Sequence, residues 1–85
     1  MRKDIKNNRN QKIGSIDTQL NGRSVIYNKV GSKIGELRPE GSKLVAYDKS
    51  GRRMAYWDER SDTSFESNGR RISKGNVLMD LFFQD

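Results

Sequence analysis

The chain has no cysteine and no histidine. The first absence excludes disulfide staples and thiol nucleophiles, and the second excludes imidazole bases. Together they exclude most zinc and haem sites. Apolar residues are scarce at 32 % of the 85 positions. The longest apolar run, Val77 to Phe83, is broken by Asp80 and falls well short of the roughly 20 residues a bilayer-spanning helix needs. The opening MRKDIKNNRN is basic but has no apolar segment, so it does not read as a secretory signal and the expected location is cytoplasmic. A chain of this length makes one domain near the lower limit for a self-sufficient core. With so little apolar material it must pack a thin core or borrow surface from a second copy.

Positive charge is abundant. Seventeen Lys and Arg stand against 11 Asp and Glu, a net charge of +6. Such a surplus favours anionic partners. The second abundant feature is repetition. Residues 4–17, 25–38, 45–58 and 63–76 align without gaps, as in YNKVGSKIGELR from Tyr27 and YDKSGRRMAYWD from Tyr47. The third position of the repeat is Lys6, Tyr27, Tyr47 and Phe65, and the fourth is Asn7, Asn28, Asp48 and Glu66. The seventh is Asn10, Gly31, Gly51 and Gly69. The tenth is Ile13, Ile34, Met54 and Ile72, and the eleventh is small: Gly14, Gly35, Ala55 and Ser73.

An Asx residue, two variable residues and then Gly spell a tight turn, because the Asx oxygen accepts backbone N–H groups and Gly takes a positive φ. The flanks hold β-branched and aromatic residues in short runs. Each repeat is therefore expected to be a β-hairpin, with further turns at Leu20–Arg23, Arg38–Ser42 and Glu59–Asp62. The expected fold is all-β, with about eight short strands. Four equal units with a small residue at one fixed place suggest hairpins radiating in a closed, pseudo-four-fold arrangement, the small residues letting backbones approach at the hub. Tyr27, Tyr47, Phe65, Ile13, Ile34, Met54 and Ile72 would fill one layer around it. The tail 77–85 breaks the repeat. Val77, Leu78, Leu81 and Phe82 recur at helical spacing behind a possible N-cap, Asn76, which points to a short C-terminal helix; a ninth strand or an oligomer contact is the rival.

The recurrent Y-[DN]-x-x-G-x-[KR]-[IM]-[GA] resembles the small bacterial repeat proteins described as four-fold β-flower proteins. The likeness covers roughly Asp4 to Asn76. It implies hairpins set as petals about an axis, and it implies no particular chemistry or ligand.

The ninth repeat position is always a cation: Lys12, Lys33, Arg53 and Arg71, with Arg52 and Arg70 beside two of them. Equivalent cations on one face would focus an anion, and arginine can hold phosphate bidentately. The alternative is cross-strand pairing, Asp48 with Arg52 or Arg53 and Glu66 with Arg70 or Arg71. Trp57, beside Tyr56, suits base stacking or an interface anchor, though it holds the repeat position of Ile16 and Leu37 and so also suits a core. Leu78, Leu81, Phe82 and Phe83 are expected to bury against the β layer or a second copy.

Carboxylates such as Asp48, Asp58, Asp62, Glu66 and Asp80 are scattered, and no phosphate-cradling loop or nucleophile elbow is visible. The sequence therefore points to a non-catalytic protein-interaction or assembly module without a cofactor, metal or small-molecule substrate. Its partner would be another protein or its own copies. The alternative is a basic module that binds nucleic acid or another polyanion. A membrane surface fits less well, since the apolar tail carries the acidic neighbours Asp80 and Asp85.

Overall fold

The computed structural model describes residues 2–83. Eight strands follow one another: β1 (Arg2–Lys6), β2 (Lys12–Thr18), β3 (Ser24–Asn28), β4 (Lys33–Glu40), β5 (Lys43–Asp48), β6 (Arg53–Asp58), β7 (Thr63–Glu66) and β8 (Arg71–Lys74). A short helix, α1 (Leu78–Phe82), ends the chain. Every strand pairs antiparallel with the next, so the order across the sheet is the order along the chain.

The expected chemistry is present at the four hairpin turns, whereas the turn expected over Arg38–Ser42 is confined to Gly41 and Ser42, because Arg38–Glu40 pair with β5 as the end of β4. In the hairpins at Asn7, Asn28, Asp48 and Glu66, the N–H three residues on donates to that residue's carbonyl at 2.9–3.1 Å. The closing residues sit in the left-handed region, with φ of 63° at Asn10, 92° at Gly31, 89° at Gly51 and 92° at Gly69. This is the three-residue hairpin loop closed by a residue of positive φ. The Asx oxygens do the local work: Asp48 Oδ1 accepts the backbone N–H of Ser50 at 3.0 Å and of Arg52 at 2.9 Å, and Asn28 Oδ1 accepts those of Val30 and Ser32. Pro39 falls inside β4, opposite Leu44 and beyond the last β3 pair at Ser24–Leu37, where a strand can do without its N–H.

Each hairpin also has a bulge in its return strand just after the turn. Ile26 faces Gly35 while Tyr27 faces Lys33, leaving Ile34 extra, and Ile13, Met54 and Ile72 hold the same place in the other three hairpins. Residues directly opposite one another share a face and neighbours along a strand do not. Tyr27, Tyr47 and Phe65 therefore lie on one face of the sheet, and Ile26, Gly35, Leu37, Ala46 and Ala55 on the other. The single layer expected of aromatic and tenth-position residues is thus corrected. Ile34 and Met54 pack against the helix-side core, the aromatic rings lie on the far side, and Ile72 is exposed.

α1 covers the inner face. Leu78 is fully buried and joins Ile26, Leu37, Ala46 and Ala55, with Ile16, Leu44, Trp57, Leu81, Phe82 and Phe83 packed around them. The tail is a helix, as its spacing suggested, but its N-cap is Val77. Asn76 acts one residue earlier, its Oδ1 accepting the Leu78 N–H at 3.1 Å, while Ser64 Oγ accepts that of Val77. Residues 84 and 85 of the expected tail segment lie outside the described residues.

The closed, pseudo-four-fold arrangement is also corrected. β1 and β8 are the two edges of an open sheet. The argument for closure was that small residues free space at a hub. That space is filled by the tail: a Cβ on Gly35 would meet the ring of Phe82, with Cζ 2.9 Å away, and one on Gly14 would meet Phe83 Cζ at 2.6 Å.

Candidate polyanion interface

In an antiparallel meander successive turns fall on opposite edges, so all four hairpin turns emerge on one edge of this sheet. The charges divide with them. Segments 6–12, 27–33, 47–53 and 65–71 hold ten of the 17 cations and two of the 11 carboxylates. The rest of the chain holds seven cations and nine carboxylates. The turn edge is therefore strongly positive while the remainder is slightly negative.

One of the two carboxylates at this edge, Asp48, turns inward on its own loop. The Ser50 hydroxyl donates to it at 2.6 Å, and this bond, with the Arg52 N–H, holds its carboxyl below the ordinary range. All six cations expected as a basic face, Lys12, Lys33, Arg52, Arg53, Arg70 and Arg71, lie on the turn edge. Among the described residues no side-chain ion pair joins them to Asp48 or Glu66, although the backbone N–H and the charge of Arg52 both add to the Ser50 bond in holding the Asp48 carboxyl down. The bulge sets Lys33, Arg53 and Arg71 opposite the rings of Tyr27, Tyr47 and Phe65, away from the fourth position of the repeat. Their anionic neighbours come from elsewhere: Lys33 Nζ reaches Glu36 at 2.7 Å, Arg53 Nη2 reaches Glu40 at 3.2 Å, and Lys12 Nζ lies 3.5 Å from Asp4. Among the described residues Arg52, Arg70 and Arg71 form no ion pair.

The outer face adjoins this edge and carries a set of cation–ring contacts. The Arg2 guanidinium lies 4.1 Å over the centroid of Tyr27, that of Arg38 lies 4.5 Å over Tyr47, and Lys43 Nζ lies 4.8 Å over Tyr56. Tyr56 stacks on Phe65 with centroids 5.2 Å apart. Glu36 orders the middle of the face. Its side chain is 12 % exposed and accepts from Arg38 Nε at 2.8 Å and from Lys33. The hydrogen bond from Arg38, then that from Lys33, holds its carboxyl down at about 2 against burial, which pushes the other way. Glu40 accepts from Tyr47 as well as Arg53.

The residues expected to contact a partner protein lie elsewhere. Trp57 is half-buried against the helix-side core, and its Nε1–H donates to Asp62 Oδ1 at 2.9 Å. Leu78, Leu81, Phe82 and Phe83 belong to the same core. Four cations of the turn edge were missed from sequence: Lys6, Arg9, Lys29 and Lys49. Their signal was available, because a meander of hairpins sends every hairpin turn to one side. Arg2, Arg38 and Lys43 left no such signal, since each meets a ring on another strand.

Among the described residues no group of three metal-ligating side chains is placed to hold an ion, and no helix is long and apolar enough to cross a membrane. No protein family, curated protein or solved structure matches the chain.

Proposed function

We propose that the protein is a non-catalytic module that binds a polyanion along its hairpin-turn edge, with nucleic acid as the ligand class. The observation that carries this reading is the segregation of charge, ten cations against two carboxylates on one edge. Three of those arginines, Arg52, Arg70 and Arg71, form no side-chain ion pair among the described residues, which leaves guanidinium donors for phosphate. Among the described residues the two carboxyls moved from their ordinary values, Glu36 and Asp48, are both lowered by hydrogen bonds, the opposite of what a general acid requires.

From the sequence, protein interaction or assembly ranks first and polyanion binding second. The order reverses here because Trp57 and the apolar tail pack into the chain's own core, which leaves the protein-interface reading without its anchors. The two sheet edges are guarded in the manner of strands that avoid pairing: β1 carries Arg2, Lys3 and Lys6, and the four-residue β8 carries Arg71 and Lys74. The resemblance to β-flower proteins rests on the repeat motif alone and adds nothing to the choice of ligand.

The test is a binding titration with an oligonucleotide across a salt series. Binding by several phosphate contacts gives a log–log slope of about −0.7 to −0.9 per contact, so affinity should drop steeply between low and moderate salt. A parent protein that binds no polyanion at low salt overturns the reading.

A further inference from the structure

The rings of the outer face stand in a fixed relation to the turn edge. Tyr27 is opposite Lys33 and Tyr47 is opposite Arg53, and each ring carries a guanidinium over its face, Arg2 on Tyr27 and Arg38 on Tyr47. Each ring is thus flanked by a cation of the edge and has a guanidinium 4.1–4.5 Å over its centroid. A guanidinium laid on a ring keeps a second flat face, and an unstacked base can lie on it. Arg38 is held for that role: its Nε donates to Glu36 at 2.8 Å while the group sits over Tyr47. Glu36, held at about 2 by the bonds from Arg38 and Lys33, is ionised at neutral pH, so the bond to Arg38 is charge-assisted.

Position on the sheet matters as much. Tyr27 and Tyr47 lie on β3 and β5, two strand spacings apart, or about 10 Å. That is too far for one base to bridge, so the two platforms would take separate bases. α1 lies on the opposite face and leaves these stacks uncovered.

We infer that the ligand is single-stranded nucleic acid, its phosphates lying along the hairpin-turn edge and its bases turned across the outer face onto the Arg2–Tyr27 and Arg38–Tyr47 stacks. This rests on the polyanion reading and narrows it. A duplex presents phosphates but no free base faces, and a sulfated glycan presents no bases. Stacking of this kind tolerates every base, so the binding is selective for strandedness and not for sequence.

The experiment compares four probes of matched charge on the full chain at one salt concentration: a mixed-sequence single strand, the same strand made abasic, a duplex and heparin. The single strand should bind at least about fivefold tighter than the abasic strand or the duplex. Arg38→Lys keeps the charge and removes the flat stacking group; it should remove most of that preference while leaving heparin affinity within about twofold. Arg2→Lys, at the edge strand where folding is least at risk, should do the same to a smaller degree. Unchanged heparin binding shows that each variant is folded. Equal affinity for single strand, abasic strand and duplex overturns the inference and leaves the polyanion reading standing. A Lys variant that weakens all four probes alike also overturns it, and binding of none of the four overturns both.

Discussion

Glycine serves two different purposes in this chain, and substitution separates them. Gly51 has a φ of 89° and nothing within 4 Å of where a Cβ would stand. Gly51→Val should lower stability by about 1–3 kcal/mol through backbone strain alone, read by thermal melting. Gly51→Asn should cost less, since Asn10 holds the same place in the first hairpin at φ 63°. Gly35 has no unusual φ but lies under Phe82. Gly35→Ala should cost about 1–3 kcal/mol, because a Cβ would meet both the Phe82 ring and the backbone carbonyl oxygen of Tyr47, and a Phe82→Ala background should recover only the part due to the ring. The turn glycines were legible because Asx–x–x–Gly chemistry is local. The purpose of Gly35 was not, because the ring that needs the space arrives from the far end of the chain. Glu36 gives the pH dependence at this scale. Its carboxyl is held at about 2 against an ordinary 4.5, so its contribution is complete above about 4.5 and is lost as pH falls through about 2. Melting temperature should fall across that window, and Glu36→Gln should flatten the fall.

Strands and turns followed from short runs of residues and their punctuation, and the helix from the spacing of Leu78, Leu81 and Phe82. What did not follow was how the elements close on one another. Alternation along a strand tells which residues share a face only if the register is unbroken, and the bulges at Ile34 and Met54 shift it. That shift moved Ile34 and Met54 away from the rings and against the inner core, and it set Arg53 opposite Tyr47, where its partner is Glu40. The cover for the inner face is the five-residue α1, centred on the fully buried Leu78. Leu78→Ala should cost about 2–5 kcal/mol in denaturant titration. A variant melting like the parent would show that the sheet holds together without its helix.

At the scale of the whole molecule, the meander converts a sequence repeat into a dipole. The repeat places a cation just after every hairpin turn, and the topology puts those turns on one edge. Six cations of the candidate site and their common face were legible from the repeat, but the tyrosine stacks beside them were not, since Arg2 and Arg38 reach rings on other strands. The cations at this edge should matter little to folding: Lys12, Lys33, Arg53 and Arg71 changed together to Ser remove two exposed pairs worth about 0.2–1 kcal/mol each and one bond to Glu36, which keeps its bond from Arg38. They should matter greatly to binding. The most direct measurement is therefore the affinity of that quadruple variant for a single-stranded oligonucleotide across a salt series. It is set beside a control in which Lys3, Arg60 and Lys74, outside the turn edge, are changed to Ser. The turn-edge variant should lose about one unit of salt slope for each phosphate contact removed, while the control keeps nearly the parent slope. If the two variants lose affinity in proportion to the charge removed, net charge alone governs binding and the turn edge is not the site.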